Sequence, residues 1–291
     1  MEYKLRRADV QNNPLVDTLK ALSGCMSKFG LPLYVVGATA RDLSMRLLKI
    51  NDSRRRTRDL DVAIAVKDWS MFTDICGVLE RNNFRRIGNT QKFIYTGDNG
   101  DNDYEVDVVP FGGVEENEMI CWPPDGNPVM SVRCFQDIME ASDEIEIENE
   151  CRVRIAPLCG QFLIKFDAWC DRHQATDKDA SDMLFILENY FYSQMVGADR
   201  VPLLGNDDMD ETTNGALWLA SDVSQLLSSE HLQLYIDVIQ KELSKEWESD
   251  LLYHFMKLHG GEDAEAMEYS LQLWDTILEV FKNELSKRHK S

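Results

Sequence analysis

Two stretches of this chain alternate acidic with aliphatic side chains, and both read as half-buried strands. The first is Thr57-Arg58-Asp59-Leu60-Asp61-Val62-Ala63-Ile64 and the second is Glu105-Val106-Asp107-Val108-Val109. Successive side chains of a strand point to opposite faces, so residues two apart share one. Asp59 and Asp61 therefore share a face, while Leu60, Val62, Ile64 and Val66 take the other. Glu105 and Asp107 share a face in the same way, with Val106 and Val108 opposite. If the two strands are neighbours, three aspartates meet. Two carboxylates about 6.5 Å apart repel by roughly 2–3 kcal/mol at an effective dielectric near 20. A divalent cation between them turns repulsion into attraction, and Mg²⁺ is usually held by one or two carboxylates plus substrate phosphates. The competing reading is an acidic strand face that is merely solvated.

Upstream, Leu33-Tyr34-Val35-Val36 is an apolar run that ends in Gly37-Ala38-Thr39-Ala40-Arg41-Asp42. A helical stripe of Leu43, Met45, Leu47 and Leu48 follows. Strand, small-residue turn and helix start together suit an anion, because backbone can approach it and free N–H groups point at it. The run matches neither G-x-G-x-x-G nor a Walker P-loop. A single glycine kept for packing is the alternative.

With these pieces in place, the sequence resembles the nucleotidyltransferase superfamily of the DNA polymerase β type. More narrowly, it is similar to the AbiEii/AbiGii nucleotidyltransferases, toxins of bacterial toxin–antitoxin pairs. The resemblance rests on Val36 to Asp42, Arg56-Thr57-Arg58-Asp59-Leu60-Asp61, Val106-Asp107-Val108-Val109-Pro110-Phe111-Gly112, and Lys165 to Asp182. It spans roughly residues 33–190. It implies Asp59 and Asp61 as ligands of Mg²⁺ or Mn²⁺ and Asp107 as the third carboxylate, which assists the attacking hydroxyl. It also implies a nucleoside triphosphate with its phosphates near Gly37, Ala38, Thr39 and Arg41, with Arg58 and Asp182 contributing to the nucleotide site. The superfamily turn is usually Gly-Gly or Gly-Ser. Here it is Gly37-Ala38, which offers no hydroxyl at 38, though Thr39 follows. The conserved lysine of the family falls on Lys165, and its Lys-Asp-x-x-Asp pattern falls on Lys178, Asp179 and Asp182. Read without the resemblance, Lys165 lies along an apolar helix and Asp182 caps or pairs with Arg172.

The remaining segments fit an α/β domain followed by helices. Residues 14–29 carry a helical stripe that stops at Gly30-Leu31-Pro32, and residues 67–83 carry another through Trp69, Phe72, Ile75, Cys76 and Leu79. Phe93-Ile94-Tyr95-Thr96 reads as a strand joined through the acidic turn 97–103 to the Asp107 strand as a hairpin. Trp122 stands at the head of a Pro-rich loop, either stacking on a base or serving the core. Residues 143–155 alternate strictly and should form the last strands. From Pro157 the spacing turns helical: Phe162, Leu163, Phe166, Trp169 and Cys170 make one face, and His173 falls at a solvated helix end. Later helices are expected near 215–228, 230–246, 248–259 and 263–288, after an acidic loop at 205–211. The expected division is a nucleotidyltransferase α/β domain over 1–156, a mixed sheet flanked by helices, and a helical domain over 157–291 that completes the cleft.

Charge and composition bound the partners. The net charge of −20 argues against broad nucleic-acid affinity, since phosphate backbones are bound through Lys and Arg. The charge is uneven: residues 40–95 hold 12 Lys and Arg against 7 Asp and Glu. That basic stretch includes Arg41, Arg54, Arg55, Arg56, Arg58, Arg85 and Arg86. It suits a triphosphate or an RNA end, or it is a solvated loop. No apolar run approaches the roughly 18 residues of a membrane span, and the start Met1 to Asp9 lacks the apolar core of a secretory signal. Seven scattered cysteines, never in C-x-x-C spacing, fit a reducing cytoplasm.

The expected activity is transfer of a nucleoside monophosphate from an NTP to a hydroxyl. The resemblance implies an RNA or tRNA 3′ end or a protein as acceptor, and an antitoxin protein as partner. Three readings compete. A CCA-adding enzyme shares Gly37-x-x-x-Arg41-Asp42 and Asp59-x-Asp61 but would need an arginine-rich motif after the third Asp. An antibiotic-type nucleotidyltransferase would take a cationic small molecule. A non-catalytic binding protein would keep the fold alone, and the presence of all three carboxylates argues against it.

Overall fold

The computed structural model describes residues 2–50, 59–88, 90–97, 103–195 and 209–290. The chain forms two compact units, Met1–Pro157 and Leu158–Ser291.

The first unit is built on strands β1 (Glu2–Leu5), β2 (Tyr34–Val36), β3 (Asp59–Val66), β4 (Phe84–Arg86), β5 (Lys92–Thr96) and β6 (Asp103–Gly112). Three short strands follow, β7 (Glu115–Glu116), β8 (Met119–Cys121) and β9 (Val129–Ser131), and then β10 (Asp143–Ile147) and β11 (Cys151–Ile155). Eight of these make one mixed sheet in the order β1-β10-β11-β2-β3-β6-β5-β4, and β7-β8-β9 make a small antiparallel sheet. The β1–β10, β11–β2 and β3–β6 pairs are parallel and the other main-sheet pairs antiparallel. Helices α1 (Arg7–Val10), α2 (Asn13–Ser27), α3 (Gly37–Leu47), α4 (Trp69–Glu80) and α5 (Phe135–Glu140) accompany them.

One face of the main sheet is fully apolar. Leu60, Val62, Ile64, Phe93, Val106 and Val108 lie there and are buried. Helix α4 covers this face: the Arg86 guanidinium lies between the rings of Phe72 on α4 and Phe93 on β5, 5.7 and 5.8 Å from them. Asp68 caps α4 by accepting the Met71 N–H at 2.8 Å, and Asn12 caps α2 by accepting that of Leu15. The opposite face is divided. Phe111 packs against Tyr34 and against Phe135 of α5, which covers the end holding Ala63 and Val109. The other end carries Asp59, Asp61, Glu105 and Asp107, and no apolar side chain accompanies them.

Two expectations change here. Trp122 is buried against Trp69 and Phe72 and serves the core. Strict alternation over 143–147 would leave Glu146 in solvent, yet it is buried. The unforeseen strand β1 flanks β10 on one side and β11 on the other, and Glu146 takes charge-assisted bonds from Arg152 at 3.0 Å and Lys4 at 3.5 Å.

The second unit is all helix among its described residues. It comprises α6 (Leu158–Arg172), α7 (Lys178–Met195), α8 (Glu211–Leu226), α9 (Ser229–Leu243), a 3₁₀ turn at Glu246–Glu248, α10 (Asp250–Leu258) and α11 (Ala264–Arg288). Its core is aromatic: Phe166 packs on Tyr235 and Trp274, and Trp274 meets Phe162 and Phe255. The buried Tyr235 hydroxyl donates to Asp167 at 2.9 Å. Asp210, Ser228, Ser249 and Asp263 each cap a helix start. Gly215 lets α8 close on α7, where a β-carbon would stand 2.9 Å from the Leu187 carbonyl. No helix among the described residues is long and apolar enough to cross a membrane.

Candidate active site

Asp61 and Asp107 are direct partners across the parallel β3–β6 ladder, and Asp59 is the partner of Glu105. Neighbouring strands lie about 4.8 Å apart. Four carboxylates thus form two rungs on the uncovered end of the sheet face. The parallel pairing brings this about. Each strand's period of two gives its acids one face, and the register then sets them side by side.

The third wall comes from β2. It runs antiparallel to β3 with Val36 opposite Asp61, and α3 begins at the next residue. Gly37 has φ 66°, the left-handed region that favours glycine. A β-carbon there would stand 2.1 Å from Asp61 Oδ2. The room beside Gly37 thus belongs to the Asp61 carboxylate, not to open solvent. Val36, at the N-cap of α3, supplies no side-chain cap.

Strand β5 closes the other side. Lys92 is the ladder partner of Asp107, with its Nζ 3.9 Å from Oδ2. The Gln91 side-chain amide hydrogen-bonds the Asp107 carboxylate, and the Gln91 carbonyl accepts the Val108 N–H at 2.8 Å. Burial pushes the Asp107 carboxyl above its ordinary range; Lys92 and Gln91 oppose the rise, while Asp59 and Glu105 add to it. The Tyr104 hydroxyl is likewise raised by burial. Asn12, which bonds it, opposes the rise, and the charges of Asp59 and Asp42 reinforce it.

Several expected phosphate ligands are otherwise engaged. The Thr39 hydroxyl is buried and donates to the Asp59 carbonyl at 3.1 Å, tying α3 to β3. It is not presented to an anion. Arg41 is buried and donates to Asp42 through Nε at 3.2 Å and Nη2 at 2.9 Å. Ala38 is partly exposed on the first turn of α3. Arg54, Arg55, Arg56 and Arg58 lie outside the described residues, as do most of the 97–103 turn and of the 205–211 loop.

Lys165 and Asp182 belong to the helical unit, where their charged groups stand 2.8 Å apart. Lys165 also lies 3.5 Å from Asp179. Arg172 grips Asp179, not Asp182, with a two-point fork of 2.7 and 2.8 Å. His173 is not a solvated end. It stacks on Trp169 with ring centroids 4.4 Å apart, and its Nε2 lies 3.3 Å from Asp250.

Gln91 and Lys92 escaped the sequence reading. A lone Gln-Lys before a short strand carries no signal until the β5–β6 register sets it against Asp107.

All the donors on the acidic rungs are oxygens, with no nitrogen or sulfur ligand among the three aspartates. That set fits a hard divalent cation of the Mg²⁺ or Mn²⁺ kind.

No family model matches the chain, and no curated protein does. A solved structure described as a tRNA-processing enzyme (apo form I) aligns over 94% of this chain and 78% of its own, at 11% identity. Its TM-score of 0.24 is too low to establish a shared fold.

Proposed function

We propose that this chain is a Mg²⁺-dependent nucleotidyltransferase, with a fold of the DNA polymerase β type, that moves a nucleoside monophosphate from an NTP to a hydroxyl acceptor. The observation that carries the reading is the Asp61–Asp107 rung, with Asp59 two residues along the same strand. Asp59, Asp61 and Asp107 would hold Mg²⁺ or Mn²⁺. Bound there, the cation neutralises charge on the attacking and leaving oxygens of an in-line displacement.

The chain's own groups do the rest. Asp107 takes the proton of the acceptor hydroxyl as its oxygen attacks the α-phosphorus, and the bond to pyrophosphate breaks. A carboxyl raised by burial suits that task better than one at its solution value. Gly37 keeps the Asp61 carboxylate against the start of α3. The uncapped first turn of α3 offers backbone N–H groups to the triphosphate.

The family resemblance adds an acceptor class, an RNA or tRNA 3′ end or a protein, and an antitoxin protein as partner. The test is incubation with each labelled NTP, Mg²⁺ and either total tRNA or cell protein. Label in RNA or protein that vanishes with Asp61→Asn and with chelator supports the reading. No transfer of any nucleotide to any acceptor, with wild-type protein folded and Mg²⁺ present, overturns it.

A further inference from the structure

We infer that Gln91 is the positioning residue of the third carboxylate, holding Asp107 in the orientation that the metal and the acceptor hydroxyl require. This rests on the nucleotidyltransferase reading of the Asp59, Asp61 and Asp107 face.

The argument begins with burial. Gln91 is only 7% exposed, which is unusual for an amide side chain. Its Oε1 is buried and has no hydrogen-bond partner. An orphaned acceptor of that kind costs about 1–3 kcal/mol. A leucine or methionine would fill the space without that cost. The amide's one evident use is the bond that its N–H makes to the Asp107 carboxylate. Only the N–H end can serve a carboxylate, so this bond decides which way the amide faces and leaves Oε1 as the orphan.

The backbone makes the hold stiff. The Gln91 carbonyl accepts the N–H of Val108, the residue after Asp107. Donor and acceptor of the side-chain bond are therefore fixed to each other through the main chain. Lys92 provides a contrast. Its ammonium stands 3.9 Å from Asp107 and its side chain is 57% exposed. An incoming cation can displace it without disturbing the core. The Gln91 amide is neutral and enclosed, and it stays. A carboxylate has about four lone-pair sites. Gln91 occupies one, sets the plane of the group, and leaves the others for metal and hydroxyl. Outer partners of this kind typically change metal affinity or activity by 10–100-fold.

The experiment compares wild type, Gln91→Met, Gln91→Glu and Asp61→Asn in the full chain. It measures the thermal midpoint, Mn²⁺ affinity by electron paramagnetic resonance, the single-turnover transfer rate, and KM for the NTP. Gln91→Met should fold with a midpoint at or above wild type, because the orphaned acceptor is gone. Its Mn²⁺ affinity should fall by about tenfold and its transfer rate by about 10–100-fold, with KM for the NTP changed less than about threefold. Gln91→Glu keeps the shape, loses the donor, and should lose at least as much.

Wild-type Mn²⁺ affinity and rate in both variants would overturn the inference. So would a lowered midpoint with affinity and rate unchanged, or failure of both variants to fold, since either makes Gln91 a packing residue. If wild type itself shows no Asp61-dependent Mn²⁺ binding, the metal reading fails and the inference falls with it. That result is distinct from Gln91 variants matching an active wild type.

Discussion

Gly37 and the carboxylate of Asp61 fill one space: a β-carbon on residue 37 would lie 2.1 Å from Oδ2 and 3.0 Å from the carboxyl carbon. With φ at 66°, the position resists any other residue on two separate grounds. Gly37→Ala should cost about 1–2 kcal/mol for the left-handed backbone alone. The methyl group should also push Asp61 off its rung. The two costs separate in a double-mutant cycle, because Asp61→Ala removes the clash and leaves the backbone term. We expect Gly37→Ala to be milder in the Asp61→Ala background, with a coupling of about 0.5–3 kcal/mol by chemical denaturation. Strict additivity would mean the two residues do not compete for space. Mn²⁺ affinity should drop with Gly37→Ala although residue 37 ligates nothing.

How much of this was legible beforehand depends on range. The period-two pattern of 59–66 and 105–109 fixed the strands and the shared faces of the acids. It did not fix their register, since a slip of two residues preserves every face. Pairing Asp61 with Asp107, rather than Asp59 with Asp107, is a long-range outcome of how β2, β3 and β6 assemble. Glu2-Tyr3-Lys4-Leu5 is too short and polar to announce an edge strand, so the burial of Glu146 went unforeseen. Thr39 and Arg41 looked like phosphate ligands because their residue types suit anions. The fold instead turns both inward, to the Asp59 carbonyl and to Asp42. Gln91 had no local pattern at all.

Asp107 should trade stability for function. Its folded carboxyl is raised by burial, so its protonated form is favoured in the fold. The sign follows: its contribution is fully present below the unfolded value near 3.9 and is lost as pH rises through the folded value. At neutral pH the charge therefore weighs against folding. Asp107→Asn should raise the thermal midpoint at pH 7, with a gain on the order of 0.5–2 kcal/mol, typical of relieved functional sites. The gain should shrink as pH falls toward 3.5, where wild type is protonated as well. In the same variant, NTP affinity should stay within about tenfold, or about 1.4 kcal/mol. Transfer should fall by about two orders of magnitude or more. A variant that transfers at the wild-type rate sinks the three-carboxylate mechanism.

Asp179 anchors the first turn of α7. Burial raises its carboxyl, but the Arg172 fork and Lys165 outweigh burial and hold it below the ordinary range. A depressed acid contributes stability above its unfolded value, and that is lost as pH falls through the folded one. Asp179→Asn should cost about 1–3 kcal/mol at pH 7, less than a fully buried pair because Arg172 is half exposed. The loss should vanish in strong acid. Lys165→Ala tests the family role of that lysine: it should weaken triphosphate binding more than monophosphate binding. Equal nucleotide affinities with a lowered midpoint would leave Lys165 as the counter-ion of Asp182 and Asp179 alone.

His254 gives the helical unit a dependence on mild acid. Its Nδ1 accepts the Trp169 indole N–H at 3.0 Å, which only an unprotonated Nδ1 can do. Burial lowers its basicity first. Asp177 and Asp250 oppose that effect, while His173 and Lys257 reinforce it, and the net direction is down. A depressed base contributes stability above its unfolded value near 6.5, and this is lost as pH falls through the folded value. The bond at stake is worth about 0.5–1.5 kcal/mol, and losing it strands a buried indole N–H. Denaturation midpoints followed by tryptophan fluorescence from pH 8 to pH 5 should decline below about 6.5. Gln at 254 can still accept the indole N–H but does not titrate, so His254→Gln should flatten that part of the curve. Parallel curves for wild type and His254→Gln would show that the Trp169–His254 bond does not set the acid sensitivity.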